Sequence, residues 1–192
     1  MPRVIAGSLG GRTIPGSVGK GTRPTADRVR EAIFSRLDGW DAIDGAHVLD
    51  LFAGTGALGI EALSRGAERA LFSEAHSGSA RQLQRSLREL ALTDRAEVRT
   101  ARAEQVAQEL DRDPSASYSL VFLDPPYDYA TAALEALLRS LASALHPDAV
   151  IVVERSSRSV PVTWPDGFLD DGVKSYGETV IQYGGVDHPG SL

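Results

Sequence analysis

The sequence predicts an α/β protein, a parallel sheet with helices on both faces. Three observations predict it. From residue 46 onward, short apolar runs of strand type alternate with longer amphipathic runs of helical type. A glycine-rich turn, Gly54-Thr55-Gly56-Ala57-Leu58-Gly59, joins the first of these strands to the first helix, and a second turn, Asp124-Pro125-Pro126-Tyr127, ends the fourth strand. Ligands of such sheets bind beyond the carboxyl ends of the strands, where both turns lie.

The elements follow in order. Arg3–Gly7 and Arg12–Pro15 read as two short strands joined at Gly10-Gly11. Thr25 is placed to cap a helix over residues 25–37, whose inner face carries Val29, Ile33 and Leu37. Strands are expected over 46–51, 69–73, 96–100, 119–123 and 149–153. Helices are expected over 57–65, 76–92, 103–110 and 129–145, and strand-like pieces near 168–175 and 178–183. Three regions result: a basic hairpin or arm over 1–24, the main domain over 25–183, and an aperiodic tail over 184–192.

Composition narrows the function classes. The 192 residues suit one domain of ordinary size, 42% of them hydrophobic and 24% charged. With no cysteine, disulfides and thiolate metal sites are excluded. The histidines are scattered without metal-ligand spacing, so no metal is expected. No apolar run approaches the length of a membrane span and the amino terminus has no secretory pattern, so a cytoplasmic protein without membrane contact is the expectation; a monomer is expected as well. The net charge is −6, but residues 1–36 hold seven basic and two acidic side chains. A basic arm on an acidic body suits a polyanionic partner.

The glycine turn matches G-x-G-x-x-G, which by itself says only that a nucleotide-like group is bound. Asp50 chooses between cofactors. A carboxylate at the strand end repels a pyrophosphate and tolerates a cationic ammonium or sulfonium. Glu74, at the end of the second strand, stands where a ribose diol is held. Arg102-Ala103-Glu104 follows the third strand and borders the place for an adenine.

Asp124-Pro125-Pro126-Tyr127 is the sharper signal. Two prolines stiffen the turn and hold one carboxylate, a carbonyl and one ring beside the glycine turn. That set suits methylation of an exocyclic amine: guanine N2, adenine N6 or cytosine N4. The amine lone pair is delocalised into the ring, and acceptors aimed at its N–H groups help it toward tetrahedral geometry. Tyr127 offers a stacking face for a base swung out of its helix. An NAD(P)-dependent oxidoreductase would leave this turn and the basic arm unexplained. A DNA amino-methyltransferase would share both turns, but the chain is short for a target-recognition domain.

These two turns resemble those of the amino-methyltransferases with a Rossmann-like class I fold. Arg3-Val4-Ile5-Ala6-Gly7, Gly11-Arg12, Thr22-Arg23-Pro24-Thr25, Asp27–Glu31, Leu49–Gly56 and Val153-Glu154 narrow the resemblance to the RsmD family. It spans roughly residues 3–183. It implies a seven-stranded sheet ordered 3-2-1-4-5-7-6 with an N-terminal hairpin extension. It also implies S-adenosyl-L-methionine as cofactor and, as substrate, guanine N2 of 16S ribosomal RNA in the small ribosomal subunit, at position 966. The candidate catalytic residues are Asp124, Pro125 and Tyr127. The candidate cofactor residues are Asp50, Phe52, Ala53, Gly54, Thr55, Gly56, Glu74, Ala103 and Asp124. The candidate RNA-binding residues are Arg3, Arg12, Arg23, Thr25 and Arg28, with Arg30, on the wet face of the same helix as Arg28, a further phosphate contact; Glu154 and Tyr176, which follow late strands, are weaker candidates for lining the base pocket.

Overall fold

The computed structural model describes residues 1–15 and 24–187. Helix α1 (Pro24–Gly39) leads into β1 (His47–Asp50), α2 (Ala57–Ser64), β2 (Arg69–Ser73), α3 (Ser77–Glu89), β3 (Ala96–Arg99) and α4 (Ala103–Asp111). Then come β4 (Tyr118–Leu123), α5 (Thr131–Leu141), β5 (Leu145–Ser156), β6 (Phe168–Tyr176) and β7 (Thr179–Val186). The strands form one sheet in the order β3-β2-β1-β4-β5-β7-β6, as the resemblance implies. Strands β1 to β5 are parallel, and β7 runs antiparallel between β5 and β6.

The strands at the middle of the sheet are apolar on both faces because helices cover both. Leu120, Val121, Phe122 and Leu123 of β4 are all fully buried. Alternation sends Val48, Phe122 and Val152 into a core beneath α1, α2 and α3, with Ile33, Phe34, Leu37, Leu83 and Leu87. It sends Leu49, Leu123 and Val153 to the opposite core, beneath α4 and α5, with Val106, Leu110, Leu134 and Leu138. Phe34 of α1 meets Phe122 with ring centroids 5.7 Å apart, which seats α1 over the middle of the sheet.

The N-terminal segment turns back on itself as expected but its pairing is too short to make two strands: the Val4 amide donates to the Arg12 carbonyl at 2.9 Å, the Gly11 amide to the Val4 carbonyl at 2.8 Å and the Ile14 amide to the Pro2 carbonyl at 2.9 Å. It makes a single antiparallel bridge, Arg3 with Thr13. Between these residues the backbone turns toward α2. The amides of Ile5 and Ala6 donate to the buried carboxylate of Glu61 at 2.7 and 3.0 Å. Ser64 Oγ donates to the Ala6 carbonyl at 2.6 Å and accepts from the Leu9 amide. Val4 and Ile14 are buried in the first core. The pairing between the two segments is therefore short, because beyond Val4 the amides of Ile5 and Ala6 turn to the helix.

Other boundaries shift for local reasons. Helix α1 begins at Pro24, so Thr25 lies inside its first turn and does not cap it. Proline suits that turn because its missing N–H has no partner there. Helix α5 ends at Leu141 and, after one tight turn at Ala142–Ala144, β5 begins at Leu145, earlier than expected. The Leu/Ala composition runs across that boundary and hides it. Strand β7 continues through Gly184 and Gly185 to Val186, into the stretch expected to be aperiodic. A Cβ at Gly184 would stand 2.5 Å from the Trp164 ring, so glycine here admits a packed indole.

Candidate active site

Four carboxylates gather at the carboxyl ends of neighbouring strands. Asp50 closes β1 and Glu74 follows β2. Asp124 follows β4, and Glu154 lies one step beyond the pairing of Leu123 with Val153, in β5. Asp50, Asp124 and Glu154 share the alternation of Val48, Phe122 and Val152, so they face the same side of the sheet. No cation is paired with Asp50, Asp124 or Glu154 among the described residues. Burial pushes Asp50 up to about 7, against a 3.3 Å hydrogen bond from the Gly59 amide, and Glu74 raises it further. Asp124 is raised well above the carboxylate range by the protein packed around it, and also by repulsion from Glu154 and Asp50. Its side chain nevertheless opens onto the cavities beside it, so water there softens the burial cost, and the neighbouring charges weigh more. Glu154 is raised by burial.

A cavity of about 680 Å³ lies over this row. That size suits a ligand of nucleoside dimensions. Of the expected cofactor residues, Asp50, Phe52, Ala53, Gly54, Thr55, Glu74, Ala103 and Asp124 line it. Gly56 does not. It starts α2 with φ of 77°, and a Cβ there would stand 2.4 Å from the Leu83 side chain, so it shapes the turn from behind. The turn is tied to Glu74, whose carboxylate accepts from the Gly54 amide at 2.9 Å and from the His76 amide at 2.8 Å. A carboxylate held at both oxygens keeps spare lone pairs directed at the cavity.

Sequence reasoning missed Tyr129. It lines the same cavity, meets Phe52 edge to face at 5.1 Å and donates through its hydroxyl to Glu104 at 2.6 Å. Burial and then that hydrogen bond push the Tyr129 hydroxyl far up. Burial opposes ionisation of Glu104, but the Tyr129 hydrogen bond and Arg102 outweigh it and hold the carboxyl low. Tyr129 carried no local signal, because its partners come from the ends of β1 and β3.

Asp124, Pro125 and Pro126 also form one wall of a second cavity of about 400 Å³, completed by Tyr127, Glu154 and Glu178 among others. Tyr127 is 68% exposed, a large apolar ring left open at the rim. The stiffness of the wall has a source beyond its prolines. The Tyr129 amide closes a turn onto the Pro126 carbonyl at 3.0 Å, and buried Arg155 donates to the Tyr129 carbonyl at 2.9 Å. The acidic turn thus separates two pockets, one over the glycine turn and one open to the surface. Tyr176, a weaker candidate for the base pocket, packs against the first core.

The basic residues divide. Arg3 and Arg28 are exposed, and so is Thr25. Arg12 is exposed and donates to the Glu89 carbonyl at 3.0 Å. Arg23 lies outside the described residues. Arg30, read as another phosphate contact, is buried; it donates to the Arg3 carbonyl and pairs with Asp27, bracing the N-terminal segment on α1. No group of three or more acidic or histidine side chains among the described residues is arranged to hold a metal ion. No helix among them is long and apolar enough to cross a membrane.

Comparison with known proteins then decides the family. A family model described as "Conserved hypothetical protein 95" matches residues 2–184. The chain belongs to that family, the RsmD family. A Haemophilus influenzae relative, "Ribosomal RNA small subunit methyltransferase D", is 35% identical over 167 residues, covering 86% of this chain and 84% of its own. The Bacillus subtilis protein YlbH, a candidate rRNA methyltransferase, is 39% identical over 154 residues, covering 79% and 81%. Among solved structures, the Escherichia coli protein yhhF, a candidate methyltransferase, matches with a TM-score of 0.80 at 31% identity, covering 96% of this chain and 97% of its own. The chain has the Rossmann-like class I methyltransferase fold.

Proposed function

We propose that this protein transfers a methyl group from S-adenosylmethionine to the exocyclic N2 of a guanine in 16S ribosomal RNA of the small subunit, at position 966 by family resemblance. The observation that carries the reading is the acidic turn standing as a shared wall between two cavities. One cavity runs over the glycine turn and the other opens beside an exposed aromatic ring.

The residues of the first cavity fit the cofactor. Unpaired carboxylates favour a cation over a pyrophosphate. Glu74 suits a ribose diol, and Phe52 and Ala103 supply apolar walls for an adenine. When bound, S-adenosylmethionine supplies a methyl on a sulfonium and departs as a neutral thioether. Asp124 and the Pro125 carbonyl accept the N–H groups of the target amine, and Asp124, whose proton affinity is raised, takes the proton that the amine sheds. Tyr127 stacks on the base. Arg3, Arg12, Thr25 and Arg28 hold the RNA backbone on the side of the sheet that the N-terminal segment packs against, and Arg23 is assigned to the RNA from its sequence alone. One chain acts on one assembled or assembling subunit, in the cytoplasm.

The test is incubation of undermethylated small subunits with isotopically labelled cofactor, followed by mass-spectrometric mapping of the modified nucleoside. Label in N2-methylguanosine of 16S RNA supports the reading. Label in adenine or cytosine, or in duplex DNA alone, overturns it, as does calorimetric binding of NAD without binding of S-adenosylhomocysteine.

A further inference from the structure

The second cavity contains a carboxylate that the reaction above does not use. Glu154 stands on β5 beside Asp124, on the same face of the sheet, and both line this cavity. Among the described residues neither carboxylate has a hydrogen-bond or ion-pair partner. Two adjacent unpartnered carboxylates are costly in an empty site, because each repels the other's charge and water reaches them from one side only. Such a pair is stabilised by a ligand that brings two adjacent N–H donors.

Guanine brings them. Its N1–H and its N2 amine are neighbours on one edge. Adenine N6 and cytosine N4 are amines too, but each is flanked by a ring nitrogen that carries a lone pair and no proton. A carboxylate facing that lone pair meets repulsion and makes no bond. We propose that Glu154 reads the base, its carboxylate accepting the guanine N1–H while Asp124 accepts from N2. This inference rests on the guanine-N2 reading and adds the residue that would enforce it.

The other charged groups lining the cavity are not paired with either carboxylate. Arg155 donates through Nη2 to the Tyr129 carbonyl, and its Nη1 is buried without a partner among the described residues. Glu178 is exposed and pairs with Arg158 at 3.0 Å. Glu154 and Asp124 are left to meet a base edge.

The experiment uses small subunits reconstituted with semisynthetic 16S RNA that carries either guanine or 2,6-diaminopurine at the target. Diaminopurine keeps the N2 amine but has a lone pair at N1. The unaltered enzyme should methylate guanine about tenfold or more faster. Glu154→Gln should bring that ratio toward one, because an amide can turn its NH₂ group to the N1 lone pair. A ratio unchanged in Glu154→Gln overturns the inference. So does loss of both activities with S-adenosylhomocysteine binding intact, which would assign Glu154 to the transfer step. If the glutamine variant fails to fold, the unaltered enzyme supplies the answer. Its ratio should fall as the pH is lowered and Glu154 gains a proton it can donate to N1, while Asp124 serves both bases and cancels. A ratio flat with pH overturns the inference. If the unaltered enzyme transfers nothing to guanine subunits, the guanine-N2 reading itself fails, an outcome distinct from all of these.

Discussion

Glu61 and the Asp124–Glu154 pair are carboxylates in one small protein that meet opposite fates. Glu61 is fully buried in α2, and its oxygens accept from the Ile5 and Ala6 amides and from Arg65 Nε at 2.8 Å. Its charge is closed off by donors and it holds the N-terminal segment against the core. Asp124 and Glu154 have no such donors among the described residues and open onto cavities. A folded chain satisfies the charges that it buries for its own sake. Carboxylates left without donors at the ends of central strands are ones whose partner arrives from outside.

The contrast can be broken from either side. Asp124→Ala should lower methyl transfer by about a hundredfold to a thousandfold, lower cofactor affinity far less, and leave the melting temperature unchanged or raised because a repulsive carboxylate is gone. Single-turnover kinetics alongside calorimetry would show this, and equal losses in rate and affinity would contradict the role. Glu61→Ala should do the reverse. It strands two amides and the Arg65 Nε, whose guanidinium keeps its pair with Asp38, and urea denaturation should show a loss of about 3 kcal/mol, with cofactor affinity per folded molecule little changed.

Asp50 lies between these extremes and adds a pH dependence. Burial raises its carboxyl in the folded state to about 7 from an ordinary 3.8. Between those values the folded, ligand-free protein holds a proton that the unfolded chain has lost, so stability is present at the acidic end and falls as the pH rises toward 7. A cationic ligand reverses the preference. Affinity for S-adenosylmethionine should rise as the pH climbs toward 7, by up to about tenfold per unit, and affinity for neutral-sulfur S-adenosylhomocysteine should rise less. Asp50→Asn should remove the difference between the two ligands in a calorimetric pH series. The smallest effect belongs to an exposed arginine of α1. Arg28→Ala should move stability by less than about 0.5 kcal/mol, yet lower the salt slope of RNA binding by about one, as filter binding across salt concentrations would record.

Much of the fold was legible because its signals are local. The strand–helix rhythm needs only neighbouring residues, and so do the glycine turn at 54–59 and the stiff acidic turn at 124–127. The N-terminal segment was harder to read. Its turn-back at Gly10-Gly11 was legible, but not how short the pairing is, because the amides of Ile5 and Ala6 are claimed by Glu61 in a helix far along the chain. Arg30 looked like a wet helical face and turned out to be a buried brace, because the helix face it shares is covered by the segment it holds. The glycines at 184 and 185 looked like a loose end, and their reason is the Trp164 ring that packs on one of them.

The amino-acid order alone determined the class of fold, the two functional turns and the acids that end β1, β2 and β4. Each of these is set by periodicity and by backbone preferences that reach only a few residues. Tertiary structure alone decided that Glu154 stands beside Asp124, that Tyr129 closes the cavity onto Glu104, and that one acidic turn divides two pockets. Those meetings depend on strand order and register, and register is settled by which faces the helices bury, a choice made by the whole core at once.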